Sequence, residues 1–279
     1  MFESKFITTN DIRLHYLESN GIEHPVILMH GLTANAHSFG GILNDGLEHH
    51  LYVIDLRGRG ESDKPDIGYS MQDHAKDIIG FMDNLNIKKA ILGGHSFGAL
   101  LSIYIAFHHP ERVEKLILID AAARMHPDTK DMIAPSMARL NKQWVNLDDY
   151  FNSIKNAPYL MGHWDKDVEN YYRADVQVID ENTVKTKSNL QHITEAVTDV
   201  FTIGIKWLEY ISGVSQPSIL INAPGMYTEK GAILPRENAM ETVNLMKNCT
   251  YIEVPGNHLT MLFGDGASAI KIAIDEFLK

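Results

Sequence analysis

The sequence predicts an α/β protein with a mostly parallel, eight-stranded sheet that helices cover on both faces. Its strand-like apolar runs are Lys5–Thr8, Ile12–Glu18, Pro25–Met29, Leu51–Asp55, Ala90–Gly93, Leu116–Asp120, Ser218–Asn222 and Tyr251–Val254. Helical patterns lie between or after the later runs, at Met71–Leu85, Phe97–His108, Arg236–Lys247 and Ala267–Leu278. Strands that alternate with helices are typical of a parallel sheet with two covered faces. The first two runs follow each other closely, so we expect them to form an antiparallel edge.

The segment 123–213 breaks this alternation. It is rich in Met, Asn, Asp, Tyr and Trp, and it has helical patterns but little strand character. An insertion of about 90 residues between the sixth and seventh strands is too long for a loop. We therefore expect a helical cap over the strand ends, where open α/β sheets bind ligands. Residues 1–122 and 214–279 would form the core beneath it.

Composition and charge exclude several classes of partner. The chain has 279 residues, 44% of them hydrophobic, and a formal net charge of −11. Nucleic acids and anionic membranes require a basic face, so we expect a small-molecule substrate and neither of those partners. The single cysteine, Cys249, excludes an intramolecular disulfide and fits a reducing compartment. The sequence has neither a signal-peptide core nor a membrane-length apolar run, so we expect a cytoplasmic location. A monomer or a homodimer is the expected oligomeric state.

The motif that carries most information is G-x-S-x-G around Ser96. It directly follows the fifth strand-like run and directly precedes a helical run. In that context the motif predicts a sharp turn that exposes the serine hydroxyl, and the glycines on either side permit the tight turn. The helix that begins there also places its positive end beside any anion formed at the site. We interpret Ser96 as a nucleophile.

A serine nucleophile needs a base and two backbone donors for the oxyanion. Of the 14 histidines, only His258 lies just past the last strand, in the order that this motif requires. The residue after the nucleophile, Phe97, is expected to give one N–H donor. Leu32, in the loop after the third strand, is expected to give the other. His30, at the start of that loop, is expected either to hold the loop in shape or to contact substrate.

Together these motifs resemble the α/β-hydrolase superfamily. The resemblance rests on the His30-Gly31 loop, the segment Asp55–Ser62, the turn at Ser96 and the loop of His258, and it covers the chain outside the cap. It implies the α/β-hydrolase fold and a serine hydrolase without cofactor or metal. In the adjacent pairs His49-His50 and His108-His109 the two side chains are expected to diverge, so neither pair is expected to bind a metal. The sequence also has no H-E-x-x-H motif.

The triad acid departs from the commonest pattern of that superfamily, in which an aspartate follows the penultimate strand. Here the first carboxylate after that strand is Glu229, whereas Asp120 ends the sixth strand, 24 residues after Ser96. This position resembles a subgroup that includes haloalkane dehalogenases, coelenterazine-type luciferases and (acetamidomethylene)succinate hydrolase. We prefer Asp120 as the acid and keep Glu229 as the alternative. Dehalogenase chemistry is excluded, because it needs a carboxylate at the position of Ser96.

The expected reaction is hydrolysis of a small carboxylic ester or related acyl compound through an acyl-enzyme. Amide, lactone and diketone C–C hydrolysis at the same site remain alternatives, and a ligand-sensing receptor of the same fold is an alternative of another class. Candidate substrate contacts are His30, Arg124, Trp144 and Trp164; the alternatives are packing inside the cap for the tryptophans and a solvated surface charge for Arg124. If the substrate is an anionic amide, Arg124 or Arg173 could meet its carboxylate.

Overall fold

The computed structural model describes residues 2–21, 23–160 and 162–279. The strands in this part of the chain are β1 (Glu3–Thr9), β2 (Ile12–Ser19), β3 (Glu23–Met29), β4 (His49–Ile54), β5 (Ala90–His95), β6 (Val113–Ile119), β7 (Gln143–Trp144), β8 (Val176–Asp180), β9 (Thr183–Thr186), β10 (Ser218–Asn222) and β11 (Cys249–Glu253). The α-helices are α1 (Gly40–Asp45), α2 (Met71–Asn84), α3 (Phe97–His108), α4 (Thr129–Met132), α5 (Ala134–Ala138), α6 (Leu147–Lys155), α7 (Lys166–Asp175), α8 (Leu190–Ile203), α9 (Lys206–Gly213), α10 (Arg236–Leu245) and α11 (Gly264–Leu278). Short 3₁₀ turns occur at Ala36–Phe39, Pro110–Arg112, Arg139–Asn141, Pro158–Leu160 and Thr260–Leu262.

The large sheet has eight strands in the order β1-β2-β4-β3-β5-β6-β10-β11. The β1–β2 and β2–β4 pairs are antiparallel, and the other five pairs are parallel. The predicted mostly parallel sheet with an antiparallel edge is therefore confirmed. Because β5, β6 and β11 run in the same direction, the residues that follow them emerge at one edge of the sheet.

Local sequence explains why these elements form. β5 is buried along its whole length, as expected for a central parallel strand covered on both faces. α2 begins at Ser70 with a capping box, in which the Ser70 hydroxyl and the Asp73 carboxylate accept each other's backbone N–H. Its apolar stripe, which includes Ile78 and Phe81, is buried against the sheet.

The core consists of two apolar layers, one on each face of the large sheet. Successive residues of β3 alternate between them: Leu28 belongs to one layer, Ile27 and Met29 to the other. The Leu28 layer continues into the inserted segment through Tyr150 and Tyr172. The other layer includes Trp207 and Ile211 of the inserted segment, which therefore shares apolar packing with both layers.

The segment between β6 and β10 holds helices α4 to α9, as expected, but also a small antiparallel sheet in the order β7-β9-β8. Strand structure in the described part of the segment is limited to these three short strands, in agreement with the expectation of little strand character, but the sequence did not predict that they pair into a sheet. Residues 177–180 of β8 are exposed, so the sequence carries no alternation between a buried and an exposed face. Pairing with β9, in which Val178 lies opposite Val184, defines that strand instead. Among the described helices, none is long and apolar enough to cross a membrane.

Candidate active site

Ser96 lies at the sharp turn between β5 and α3, with backbone angles φ 53° and ψ −113°. A positive φ is strained for a residue other than glycine. The neighbouring glycines are required by close packing, since a Cβ on Gly98 would lie 2.0 Å from the carbonyl oxygen of Met29 and one on Gly94 would lie 2.5 Å from the carbonyl carbon of Gly98. The turn is held by a hydrogen bond from Ser96 N to Ile119 O at 2.8 Å.

The structure brings Ser96, His258 and Asp120 together. His258 Nε2 lies 3.1 Å from Ser96 Oγ, and His258 Nδ1 lies 2.6 Å from Asp120 Oδ2. Asp120 is fully buried, and its other oxygen accepts hydrogen bonds from Asn222 Nδ2 at 2.8 Å and from Ala223 N at 2.9 Å. These donors fix the orientation of the carboxyl group. The role of Asp120 as the triad acid remains a prediction, and its contact with His258 supports that prediction.

The alternative acid does not share this environment. Glu229 lies on the exposed loop that follows β10, and no hydrogen bond or ion pair joins it to His258 in the described residues. The turn directly after β10 instead supplies Asn222 and Ala223 as donors to Asp120.

Two buried side chains that the sequence analysis did not identify hold the loop of His258. The Nδ2 group of Asn257 donates to Tyr159 O at 2.9 Å and to Met226 O at 3.0 Å, and its Oδ1 accepts from the backbone N–H groups of the two residues that follow His258. His95 Nε2 lies 2.7 Å from the carbonyl oxygen of His258. Burial holds the pKa of His95 well below its usual value, so the ring is neutral and donates through Nε2. The sequence placed both residues next to predicted catalytic residues, and that position was the available signal.

The two predicted oxyanion donors lie on the cavity wall with Ser96. Among the described residues, neither Leu32 N nor Phe97 N donates to a protein acceptor. The carbonyl of Gly31 accepts from His30 Nδ1 at 2.8 Å and from Ala34 N at 3.1 Å. In a trans peptide the N–H points opposite to the carbonyl, so these bonds turn the Leu32 N–H away from the donors and leave it free.

His30 lies behind this wall. It is fully buried, and its Nε2 accepts a hydrogen bond from Leu56 N at 3.0 Å. Burial lowers the pKa of His30 to about 4, so the neutral ring carries its proton on Nδ1 and donates it to Gly31 O. This position corrects the expectation of a substrate contact and supports the other expectation, that His30 holds the loop.

A cavity of about 1050 Å³ includes Ser96 in its wall. The part formed by α8, α9 and the turn between them is mostly apolar, and two of its residues, Phe201 and Ile205, are 55% and 82% exposed. The charged side chains of the wall are Arg124, Lys130 and Arg139, and no aspartate or glutamate lies on its described part. Although the net charge of the chain is −11, the charged side chains on the described wall of this cavity are all cationic.

The structure separates the other predicted substrate contacts. Arg124 lies on the wall and forms an ion pair with Glu241 at 3.4 Å. Trp144 and Trp164 are not part of the wall, because they pack within the inserted segment against Tyr150 and Tyr172, with ring centroids 4.7 Å and 5.8 Å apart. Both tryptophans are therefore corrected to packing residues.

Arg173 is also not on the wall. It pairs with Glu169 at 2.7 Å on the surface of α7. Arg139, which the sequence analysis did not identify, is buried and reaches the cavity. In the part of the chain that the structure describes, no group of three or more His, Cys, Asp or Glu side chains could hold a metal ion.

With this geometry in place, comparison with known proteins identifies the family. The model of the α/β-hydrolase fold family matches residues 24–265. The chain therefore belongs to the α/β-hydrolase fold family, a family of hydrolases.

The relatives agree with the predicted subgroup. The chain is 33% identical over 143 residues to a 2-(acetamidomethylene)succinate hydrolase of Mesorhizobium japonicum, covering 50% of this chain and 48% of that one. It is 24% identical over 280 residues to a haloalkane dehalogenase of the same organism, covering 96% and 88%. An N-formylmaleamate deformylase of Pseudomonas putida is 37% identical over 117 residues, 41% of this chain and 43% of that one. Several curated relatives are thus matched over less than half of their own length.

Solved structures show the same fold. The crystal structure of E-2-(acetamidomethylene)succinate hydrolase superposes with a TM-score of 0.84 at 20% identity, covering 100% of this chain and 99% of that one.

Proposed function

We propose that this protein is a serine hydrolase that cleaves a small carboxylic ester or related acyl substrate through an acyl-enzyme. The observation that carries the proposal is the continuous contact from Asp120 to His258 to Ser96, over 2.6 Å and 3.1 Å, at the wall of a large cavity. An imidazole between a carboxylate and a serine hydroxyl is the arrangement that converts a weak nucleophile into an active one.

In the first half of the reaction Ser96 Oγ attacks the substrate carbonyl carbon while His258 Nε2 takes the hydroxyl proton. Asp120 holds Nδ1–H and stabilises the imidazolium that forms. The N–H groups of Leu32 and Phe97 donate to the oxyanion, with support from the positive end of α3. When the tetrahedral intermediate collapses, His258 gives the proton to the leaving alcohol, and the acyl group stays on Ser96.

In the second half, a water molecule takes the place of the alcohol. His258 removes a proton from this water, which attacks the acyl carbon, and the proton is then returned to Ser96 Oγ. The same donors hold the second oxyanion, and the carboxylic acid leaves. All of these steps use side chains and backbone groups of this chain.

A second candidate is hydrolysis of an amide that carries a carboxylate. The cationic character of the charged side chains on the cavity wall favours it, because Arg124 or Lys130 could attract a carboxylate. Two relatives also have names that refer to such compounds, the succinate hydrolase and the deformylase. Lactone and diketone hydrolysis would use the same residues. A receptor without turnover is disfavoured by the intact contacts among Ser96, His258 and Asp120.

We further propose that residues 123–213 act as the cap and that residues 1–122 and 214–279 form the catalytic core. The inserted segment contributes more than half of the residues that line the cavity, and this supports that division. A small-molecule substrate, a monomeric or homodimeric state and a cytoplasmic location are retained as predictions.

A fluorophosphonate probe and a substrate panel test the proposal. The wild type should be labelled stoichiometrically at Ser96, and Ser96→Ala should fold normally but lose both labelling and turnover. Ser136→Ala is the matched control, because Ser136 also lies on the cavity wall, its hydroxyl donates to Ile133 O, and no contact joins it to Ser96 or His258 in the described residues. Esters, lactones, amides and diketones assayed in parallel separate the candidate reactions. Turnover that survives in Ser96→Ala would overturn the proposal.

A further inference from the structure

We infer that Arg139, a residue of the inserted segment, is a positioning residue that sets the direction of the Leu32 oxyanion donor. The inference rests on the proposed function, because it assigns Leu32 N–H to the oxyanion. It concerns how the cap supports a catalytic centre whose reacting side chains and oxyanion donors all come from the core.

The loop 31–33 is held in an unusual way, since each of its three carbonyls accepts a hydrogen bond from a buried side chain. His30 Nδ1 holds Gly31 O at 2.8 Å, and Arg59 Nε holds Leu32 O at 3.1 Å. Arg139 Nη2 holds Thr33 O at 2.7 Å. The first two side chains come from the core, but the third comes from the inserted segment.

The contact of Arg139 reaches the Leu32 donor through two rigid peptide planes. The carbonyl that Arg139 holds, Thr33 O, belongs to the same peptide as Ala34 N. That N–H donates to Gly31 O at 3.1 Å. The carbonyl of Gly31 belongs in turn to the peptide that carries the Leu32 N–H. Because both peptides are planar, rotating the first one moves the hydrogen bond that orients the second.

Arg139 itself is fixed on the side away from the loop. It is only 4% exposed, its Nε donates to Asp175 Oδ2 at 3.1 Å, and its Nη1 donates to Ser136 O at 2.6 Å. Asp175 is also buried and accepts from the hydroxyl of Tyr150 at 2.6 Å. A buried charge pair of this kind is retained only with good geometry and further hydrogen bonds, and both are present here.

The hydrogen bonds of Arg139 indicate that its guanidinium supports the loop 31–33 and does not bind substrate. With a contact to Thr33 Oγ1 at 3.3 Å, the guanidinium makes four hydrogen bonds to protein acceptors out of five N–H groups. Asp175 also neutralises its charge. The planar fork can hold the cap carboxylate and the loop carbonyl at the same time, and a lysine ammonium cannot reproduce that geometry.

The experiment compares Arg139→Gln and Arg139→Lys with Tyr150→Phe. Arg139→Lys keeps a positive charge beside Asp175, so it should fold even if Arg139→Gln does not. Tyr150→Phe is the control, because it removes a hydrogen bond to Asp175 but leaves every hydrogen bond of Arg139 in place. The readouts are kcat and KM on an ester that the wild type hydrolyses, and the inhibition constants of a trifluoromethyl ketone and of the alcohol obtained by reducing it. The ketone forms a tetrahedral adduct that needs the oxyanion donors, whereas the alcohol only occupies the cavity.

Loss of one oxyanion donor costs about 10²- to 10³-fold in kcat, so a misdirected donor should cost about 10- to 100-fold. We expect that loss in kcat for both Arg139 variants, with KM changed less than about 3-fold. Ketone affinity should fall by the same factor as kcat/KM and alcohol affinity should stay within about 3-fold, while Tyr150→Phe should remain near the wild type.

Three results would overturn the inference. Folded Arg139 variants with unchanged kcat would show a role in stability alone. Equal losses of ketone and alcohol affinity would show that Arg139 contacts the substrate. If the wild type hydrolyses esters but the variants behave in either of these ways, only this inference fails. A wild type that neither hydrolyses an ester nor reacts with a fluorophosphonate would instead remove the proposed function and this inference with it.

Discussion

Replacing Asp120 by Asn tests the predicted acid with almost no change in shape. The carboxylate receives three donors: Asn222 Nδ2 and Ala223 N on Oδ1, and His258 Nδ1 on Oδ2. The backbone of Asp120 has φ 52°, a left-handed conformation that asparagine adopts about as readily as aspartate. The variant should therefore fold, and any loss of activity should come from hydrogen bonding.

The donors determine how the new amide is oriented. If its NH₂ group faced Asn222 and Ala223, two buried donors would lose their acceptor, at about 1–3 kcal/mol each. The amide oxygen should therefore remain at Oδ1, and the NH₂ group should face His258. The imidazole then carries its proton on Nε2, where it donates to Ser96 instead of accepting its proton. The equivalent change in a serine protease lowers kcat about 10⁴-fold, or about 5.4 kcal/mol, and we expect a loss of about 10³- to 10⁴-fold here.

The assay is kcat and the rate of acylation by a p-nitrophenyl ester, with thermal unfolding as the check of folding. Glu229→Gln is the matched control, because it makes the same carboxylate-to-amide change on the exposed loop and should leave kcat within about 2-fold. A folded Asp120→Asn variant that keeps more than a tenth of kcat would refute the reasoning. A larger loss in Glu229→Gln would move the acid to Glu229.

Two further predictions concern the cavity wall and acid stability. Ile205→Ser should lower the ratio of kcat/KM for an octanoate ester to kcat/KM for an acetate ester by about 5-fold, since each buried methylene contributes about 0.8 kcal/mol. Ile67→Ser is the control, because Ile67 is 77% exposed and is not part of the cavity wall, and it should leave that ratio unchanged. The pKa of His30 falls from 6.5 to about 4 on folding, so its contribution to stability is complete above pH 6.5 and is lost as the pH falls toward 4. The loss is on the order of 3 kcal/mol, and urea midpoints measured between pH 7.5 and pH 4 should show it; a constant midpoint would contradict the pKa assignment.

The parts of the site that the sequence predicted share one property, which is that short segments specify them. The G-x-S-x-G turn is defined by glycines that close packing requires, and the turn alone indicates Ser96. Asp120 and His258 follow strands whose parallel order places their ends at one edge. The sheet itself was predictable because alternating strands and helices leave few topologies.

The parts that the sequence did not predict depend on contacts between distant segments. Arg139 reaches Thr33, 106 residues earlier, and Asp175, 36 residues later. Nothing near Arg139 in the sequence distinguishes it from a solvated surface arginine. Trp144 and Trp164 were candidates for the cavity wall and for the interior of the cap, because an aromatic residue in a cap fits either place, and only the three-dimensional packing separates the two.

The division between local and distant signals also explains why the reaction is easier to predict than the substrate. The groups proposed to move protons and hold the oxyanion come from strand ends and tight turns of the core. The wall that a substrate would touch comes largely from the segment 123–213. Relatives with this fold are named for reactions as different as hydrolysis of an acetamidomethylene succinate and dehalogenation of a haloalkane. The fold therefore constrains the chemistry to a few residues, and substitutions on the α8–α9 wall and at Arg124 and Lys130 are the ones that should change which substrate is accepted.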